Sequence, residues 1–455
     1  MTDIETSLSP KSLKPALARL KKANAGFART RPGDPGERQP VHVVYGGAHL
    51  FKADSAPKLG ALALRSLEEY APDAATFAEA VGIPGALAEK VYSRVLDKLR
   101  TEPVEDFRLD FEDGYGNRPD EEEDRHALQA AHEVAKGMSR GSLPPFLGIR
   151  IKTLSEVLHR RSLRTLDIFL TTLLGASKRV LPYNFVVTLP KITSPEHVAT
   201  LARTFDLLEK KLRLERGALK IELMIETPQS VFLDDGRIAL PALLEAGAGR
   251  VMAAHFGTYD YTALMNITAA HQTMTHPSCD FAKHIMQVSL AQTGVVLSDG
   301  ATNVMPVPLH RPVSGNAGVS SEQSEENRRA VHRAWRLHYQ HVRHSLETGF
   351  YQGWDLHPAQ LPTRYAAVYA FFLESFEESS KRLKNFIEKA AQATLVGDVF
   401  DDAATGQGLL NYFLRGLNCG AITLEEAQAT GLTKHDFQSR SFVKILETRR
   451  HETKT

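Results

Sequence analysis

Charged side chains finish a series of short apolar runs along this chain, and they are of the kinds that hold hard cations and carboxylates. The run at 107–113 ends in Asp110, Glu112 and Asp113, the run at 146–152 carries Arg150 and Lys152, and Lys191 ends the run at 185–191. Glu226 closes 221–227, His255 and then Asp260 follow from 250–257, Ser298 and Asp299 close 294–300, and His357 stands near the end of 349–358. If successive runs are neighbouring strands, about 4.8 Å apart, Glu226 and Asp260 can share one cation. Mg²⁺ suits such a pair, because it takes one or two carboxylates, keeps waters and leaves positions for substrate oxygens. Arg150 offers a planar fork that matches a substrate carboxylate in two-point contact, which lysine does not. Residue types alone leave a second reading open, in which each charge is half of a salt bridge at a rim. His271, His276 and His284 do not fall in the HExxH arrangement, so their spacing does not point to zinc.

These side chains need elements to position them. With VHVVYGG at 41–47 the apolar runs number eight, and the spacers between them carry helical patterns such as TFDLLEKKLRLERG and KHIMQVSLAQTG. Strands alternating with helices favour a parallel barrel over a sandwich. In a barrel the C-terminal strand ends face the active site and the interior is expected to be apolar. An open doubly wound sheet alternates in the same way, but GGAHLF after the first run lacks the third glycine of a dinucleotide-binding fingerprint. The chain therefore divides into a helix from Pro10 to Phe27 with a linker to residue 40, a barrel over 41–365, and a helical lid over 366–455. Residues 310–330, polar and rich in Ser, Gly and Asn, read as a flexible excursion.

Composition sets outer limits. The 455 residues suit a barrel with an appended domain, and 42% hydrophobic residues suffice for a large core. Lys plus Arg is 55 against 54 for Asp plus Glu, which gives no electrostatic footprint for nucleic acid. Cys279 and Cys419 form no framework, which fits a reducing compartment. The polar start lacks a secretory core, and no uncharged run reaches the roughly 20 residues of a membrane span. A cytoplasmic protein without a membrane partner is expected.

Four segments carry a resemblance. RLDFEDGYG, IELMIETPQSV, HFGTYDYTALM and GWDLHPAQL, in that order, resemble the motifs of the HpcH/HpaI aldolase and citrate lyase β-subunit family, which includes malyl-CoA lyase-like proteins; GIRI and TLPKITSPEHV add to the match. The likeness spans roughly residues 42–415. It implies a (β/α)₈ TIM barrel, Mg²⁺ ligation by Glu226 and Asp260, and carboxylate binding by Arg150, with Glu112, Asp113 and Lys191 beside it as substrate-binding candidates. It also implies a homo-oligomer whose C-terminal lid completes a neighbouring subunit's site through an acid or base. Here GDVFDDAATG offers Asp401 for that role. The chain departs from the family in its length, in the loops YGGAHLFKAD and ATNVMPVPL, and in the stretch from Leu154 to Pro182.

The expected chemistry is a Mg²⁺-dependent carbon–carbon lyase or aldolase acting on a keto acid, a hydroxy acid or its CoA thioester through an enolate, with metal and Arg150 stabilising the developing charge. Asp401 or His357 would move the proton; His357 could equally be a hydrogen-bonded strand end. Two other readings stand beside it: a malate synthase-like condensation or other chemistry on a pyruvate- or phosphoenolpyruvate-like ligand, and a barrel kept as a non-catalytic scaffold.

Overall fold

The computed structural model describes residues 7–33, 36–311, 318–392 and 403–452. Eight parallel strands close into one barrel in sequence order: β1 (His42–Gly47), β2 (Asp106–Asp110), β3 (Phe146–Arg150), β4 (Phe185–Leu189), β5 (Lys220–Ile225), β6 (Val251–Phe256), β7 (Val296–Ala301) and β8 (Gln352–Asp355). Each strand coincides with one of the eight apolar runs, and a ring of helices surrounds them, so the fold is a (β/α)₈ barrel. The ring forms for the usual amphipathic reason. Helix Asp120–Arg140 buries Ala127, Ala130, Ala131 and Val134, a spacing that puts them on one face toward helix His159–Ala176. It starts on four acidic residues and stops at Gly141, whose φ of 62° is open to glycine at little cost.

The barrel lumen is not apolar. Alternate strand residues point inward, and here they include Asp106, Arg108, Thr188, Glu222, His255 and Gln352, all buried. Arg108 grips Glu222 with two bonds, Nε to Oε1 at 3.2 Å and Nη2 to Oε2 at 3.0 Å, and turns Nη1 to Asp106. Thr188 Oγ1 donates to Glu222 Oε1 at 2.6 Å, and Gln352 Nε2 donates to Asp106 Oδ2 at 3.3 Å. The expected apolar filling is thus replaced by an ion cluster whose members satisfy one another, which is what permits charge so far from water.

Two further expectations change. Residues 321–330 of the presumed excursion begin helix Ser321–Glu347, which starts at a capping box between Ser320 and Gln323. Beyond helix Leu361–Glu374, which packs on helices Ala88–Thr101 and Ser321–Glu347, the chain is helical as its spacing predicts. Its described part does not lie over the strand ends that carry Glu226, however. Arg415 Nη1 donates to Gln39 Oε1 at 3.0 Å and Asn418 Nδ2 to the Glu37 carbonyl at 3.0 Å, both just ahead of β1. Arg94 and Lys90 each reach Glu426 at 2.6 Å. Residues 403–452 therefore cover the mouth at the strand N-termini.

Candidate active site at the C-terminal mouth

Glu226 follows β5 directly, and the next residue fixes it. Thr227 caps the short helix Pro228–Val231 through a reciprocal box with Ser230 and donates to the Ile192 carbonyl. Glu226 is 2% exposed. Its Oε1 accepts the Lys191 backbone N–H at 2.7 Å, and Oε2 has no donor among the described residues. Gly257, at the end of β6, lies against it: a Cβ there would come within 2.5 Å of the Glu226 Cβ and 2.6 Å of Oε2. Asp260 sits in the first turn of helix Thr258–Leu264 on the neighbouring strand, with its side chain 40% exposed. Burial, and then the charge of Asp260, push the Glu226 carboxyl up to about 8 against the pull of Arg150 and Lys191.

Lys191 ties the neighbouring loops together. Its Nζ lies 2.5 Å from Glu112 Oε1, 3.0 Å from Asp113 Oδ2 and 3.7 Å from Asp260 Oδ2. Burial works against its charge, but Glu226 and Glu112 hold the ammonium above its ordinary range. Glu112 is raised to about 6, chiefly by burial. The sequence-derived set of Arg150, Glu112, Asp113, Lys191, Glu226 and Asp260 is therefore brought together at one mouth.

Arg150 is engaged more deeply than its type suggested. It is 1% exposed, and its Nε and Nη2 edge binds both oxygens of Asp110, at 2.7 and 2.5 Å. Asp110 in turn accepts the amides of Glu112 and Gly114 and so shapes the loop after β2. A Cβ on Gly114 would meet Asp110 Oδ2 at 2.6 Å. Only Nη1 faces the carboxylate cluster, 3.3 Å from Glu112 Oε2 and 3.6 Å from Asp113 Oδ2. His357 caps the turn Pro358–Gln360, its Nδ1 accepting the Ala359 amide at 3.1 Å. Asp401 lies outside the described residues.

Sequence reasoning named His255 but missed Tyr45 and Trp354, which join it as the floor of the site. The Arg150 guanidinium lies 5.0 Å from the Tyr45 ring and 5.6 Å from that of Trp354. Trp354 meets His255 edge-on at 5.7 Å, and burial lowers His255 to about 4, so its ring is neutral. Trp354 Nε1 and His255 Nε2 are buried polar atoms without a partner among the described residues. Their signal was the inward phase of the strand alternation, which places 45, 255 and 354 in the lumen with 108 and 222.

Among the described residues no three His, Cys, Asp or Glu side chains gather as a ready-made metal site. The donor set nonetheless fits Mg²⁺, which needs no more than two carboxylates, and Glu226 Oε2, on a side chain 2% exposed, accepts no hydrogen bond from the described residues. A cavity of about 910 Å³ lies elsewhere, among Gln39, Val296, Tyr351, Gln407, Arg415 and Phe437 at the opposite mouth. None of the carboxylates above lines it, and the chemistry of the side chains is the better guide to the site.

A family model described as a domain of unknown function (DUF6986) matches residues 20–445. No curated protein matches. Among solved structures, the chain is similar to a malate synthase from Haloferax volcanii in a magnesium and glyoxylate complex, at 14% identity over 73% of this chain and 76% of that one, with a TM-score of 0.45. It is similar to a citrate lyase beta subunit from M. tuberculosis complexed with oxaloacetate and magnesium, at 14% identity over 74% and 98%, with a TM-score of 0.37. A HpcH/HpaI aldolase/citrate lyase family protein from Burkholderia cenocepacia is similar at 12% identity over 79% and 98%, with a TM-score of 0.38.

Proposed function

The chain belongs to the family described as a domain of unknown function, DUF6986, and from the site itself we propose that it is a Mg²⁺-dependent carbon–carbon lyase or aldolase acting on a keto acid, a hydroxy acid or its CoA thioester. One observation carries this: Glu226 and Asp260 stand at the ends of the adjacent strands β5 and β6, which pair up to Ile225 and Phe256, and Glu226 Oε2 has no donor among the described residues. The motif resemblance of the same segments supports it. When bound, Mg²⁺ would supply a Lewis acid to the substrate oxygens on which negative charge develops. Glu226 and Asp260 would hold it.

The other residues act on the substrate or on one another. Arg150, locked by Asp110, presents Nη1 toward the cluster as a fixed positive charge that needs no reorganisation during reaction. The wall of Tyr45 and Trp354 beside it keeps water from that charge. Cleavage requires a group that moves one proton. His357 already uses Nδ1 as a cap, which leaves Nε2 for that purpose; Asp401 is the alternative.

Calorimetric titration of the full chain with Mg²⁺, followed by thermal unfolding with keto acids and acyl-CoA present, tests the reading. Wild type should bind Mg²⁺, and a keto acid at about 100 times its Kd should add about 2.7 kcal/mol of stability only when Mg²⁺ is there. Glu226→Gln and Asp260→Asn should each abolish Mg²⁺ binding with the fold intact. Full Mg²⁺ affinity in either variant, or keto-acid stabilisation that ignores Mg²⁺, would sink the assignment.

A further inference from the structure

Four carboxylates, not two, stand at this mouth, and a single side chain divides them. The Lys191 ammonium lies 2.5 Å from Glu112 and 3.0 Å from Asp113, but 3.7 Å from Asp260. With Glu226 it makes no side-chain ion pair; its contact there is through the backbone N–H, at 2.7 Å. That backbone is unusual, because Lys191 has a φ of 49°, a left-handed conformation that a residue with a Cβ adopts only at a cost. The amide direction that results occupies Glu226 Oε1 and leaves Oε2, on a side chain 2% exposed, without a partner.

We infer that Lys191 decides which divalent cation the site accepts, by keeping Glu112 and Asp113 out of the coordination shell of Glu226 and Asp260. The inference rests on the metal reading above and deepens it. Mg²⁺ is small, demands near-octahedral geometry and keeps its waters, so two carboxylates satisfy it. Ca²⁺ takes six to eight oxygens at longer distances and gains from every additional carboxylate that can swing in. With the ammonium tied to Glu112 and Asp113, two protein carboxylates remain and the site favours the smaller ion. Without it, the two acids on the loop after β2 keep only Arg150 Nη1, at 3.3 and 3.6 Å, as counter-charge and become freer to turn in as further ligands. The left-handed backbone has a separate task, which is to aim Glu226. Lys191 is thus a positioning residue, acting on the ligands and not on the substrate.

The test is calorimetric titration of the full-length protein with Mg²⁺ and, separately, Ca²⁺, for wild type and for Lys191→Met, Lys191→Gly and Lys191→Ala. Loss of a positive charge alone strengthens both ions alike and leaves their affinity ratio unchanged. The inference predicts that the ratio of Mg²⁺ to Ca²⁺ affinity falls at least about tenfold in both the Met and the Gly variants, since specificity is a difference of affinities. Adding Glu112→Gln and Asp113→Asn to Lys191→Met should restore it. Lys191→Ala should bind both ions more weakly than Lys191→Gly, because glycine adopts the left-handed backbone freely. An unchanged ratio in the Met and Gly variants overturns the inference and leaves the metal site standing. A wild-type protein that binds neither ion overturns both.

Discussion

At the C-terminal ends of the strands, Glu112, Asp113 and Asp260 gather around the Lys191 ammonium, and Glu226 accepts its backbone N–H. At the N-terminal ends, helices 403–452 pack Leu410, Phe413, Phe437 and Phe442 away from water, and the ion pairs there are conventional, such as those of Glu426 with Lys90 and Arg94. The first mouth holds like charges close together, which costs stability and leaves a carboxyl at about 8. The second satisfies its charges and buries apolar surface. The difference teaches that cost and benefit are separated along the barrel axis: substitutions at one mouth should change ligand binding, and at the other only stability.

The strongest way to break this division is Phe413→Ala. Phe413 is wholly buried, with its ring 6.0 Å from Phe376 and 6.4 Å from Phe437. The substitution should cost about 3–5 kcal/mol in chemical denaturation and leave the Mg²⁺ Kd of the folded protein unchanged; a parallel loss of metal affinity would show that the two mouths are coupled. A smaller effect sharpens the other side. Burial and the charge of Asp260 raise the Glu226 carboxyl to about 8, so a cation competes there with a proton. Mg²⁺ affinity should therefore rise by up to about tenfold per pH unit from pH 6 toward 8 and level off above, read by titration across pH. An affinity that is flat from pH 6 to 8 would show that no proton leaves Glu226 in that range, and Glu226→Gln then decides its place in the ligand set. The smallest effect belongs to Glu426, held at about 2 by Lys90 and Arg94 against the opposing effect of burial. Its folded pKa is depressed, so its contribution is present above the ordinary glutamate range and is lost as pH falls toward 2. Glu426→Gln should cost about 1 kcal/mol or less near pH 7, the partners being partly exposed. Melting curves of variant and wild type should converge in acid.

Much of the first mouth was legible in the sequence because its residues end apolar runs, where the chain itself marks the strand terminus. The lumen was not. Arg108 and Glu222 lie inside strands β2 and β5, and a reader expecting an apolar barrel has no local signal that one answers the other across the sheet. Tyr45 and Trp354 were hidden for the same reason, although alternation alone puts them on the inner face. The helix Ser321–Glu347 was obscured by the composition around it, while its Ser320–Gln323 box was there to be read. The placement of helices 403–452 could not be read at all. Helical spacing shows which face is apolar, and nothing in it says which end of the barrel that face will meet.

The chain has two tryptophans, and the fold puts them in opposite circumstances. Trp335 is sealed between helices, fully buried, with Nε1 donating to the Ala359 carbonyl at 2.7 Å. Trp354 stands beside Arg150 and His255 at the mouth that carries the carboxylates. The molecule therefore contains its own pair of fluorescent probes, one facing the place where ligands would arrive and one insulated from it. Emission from the first can be read against the second in the same cuvette, without a label.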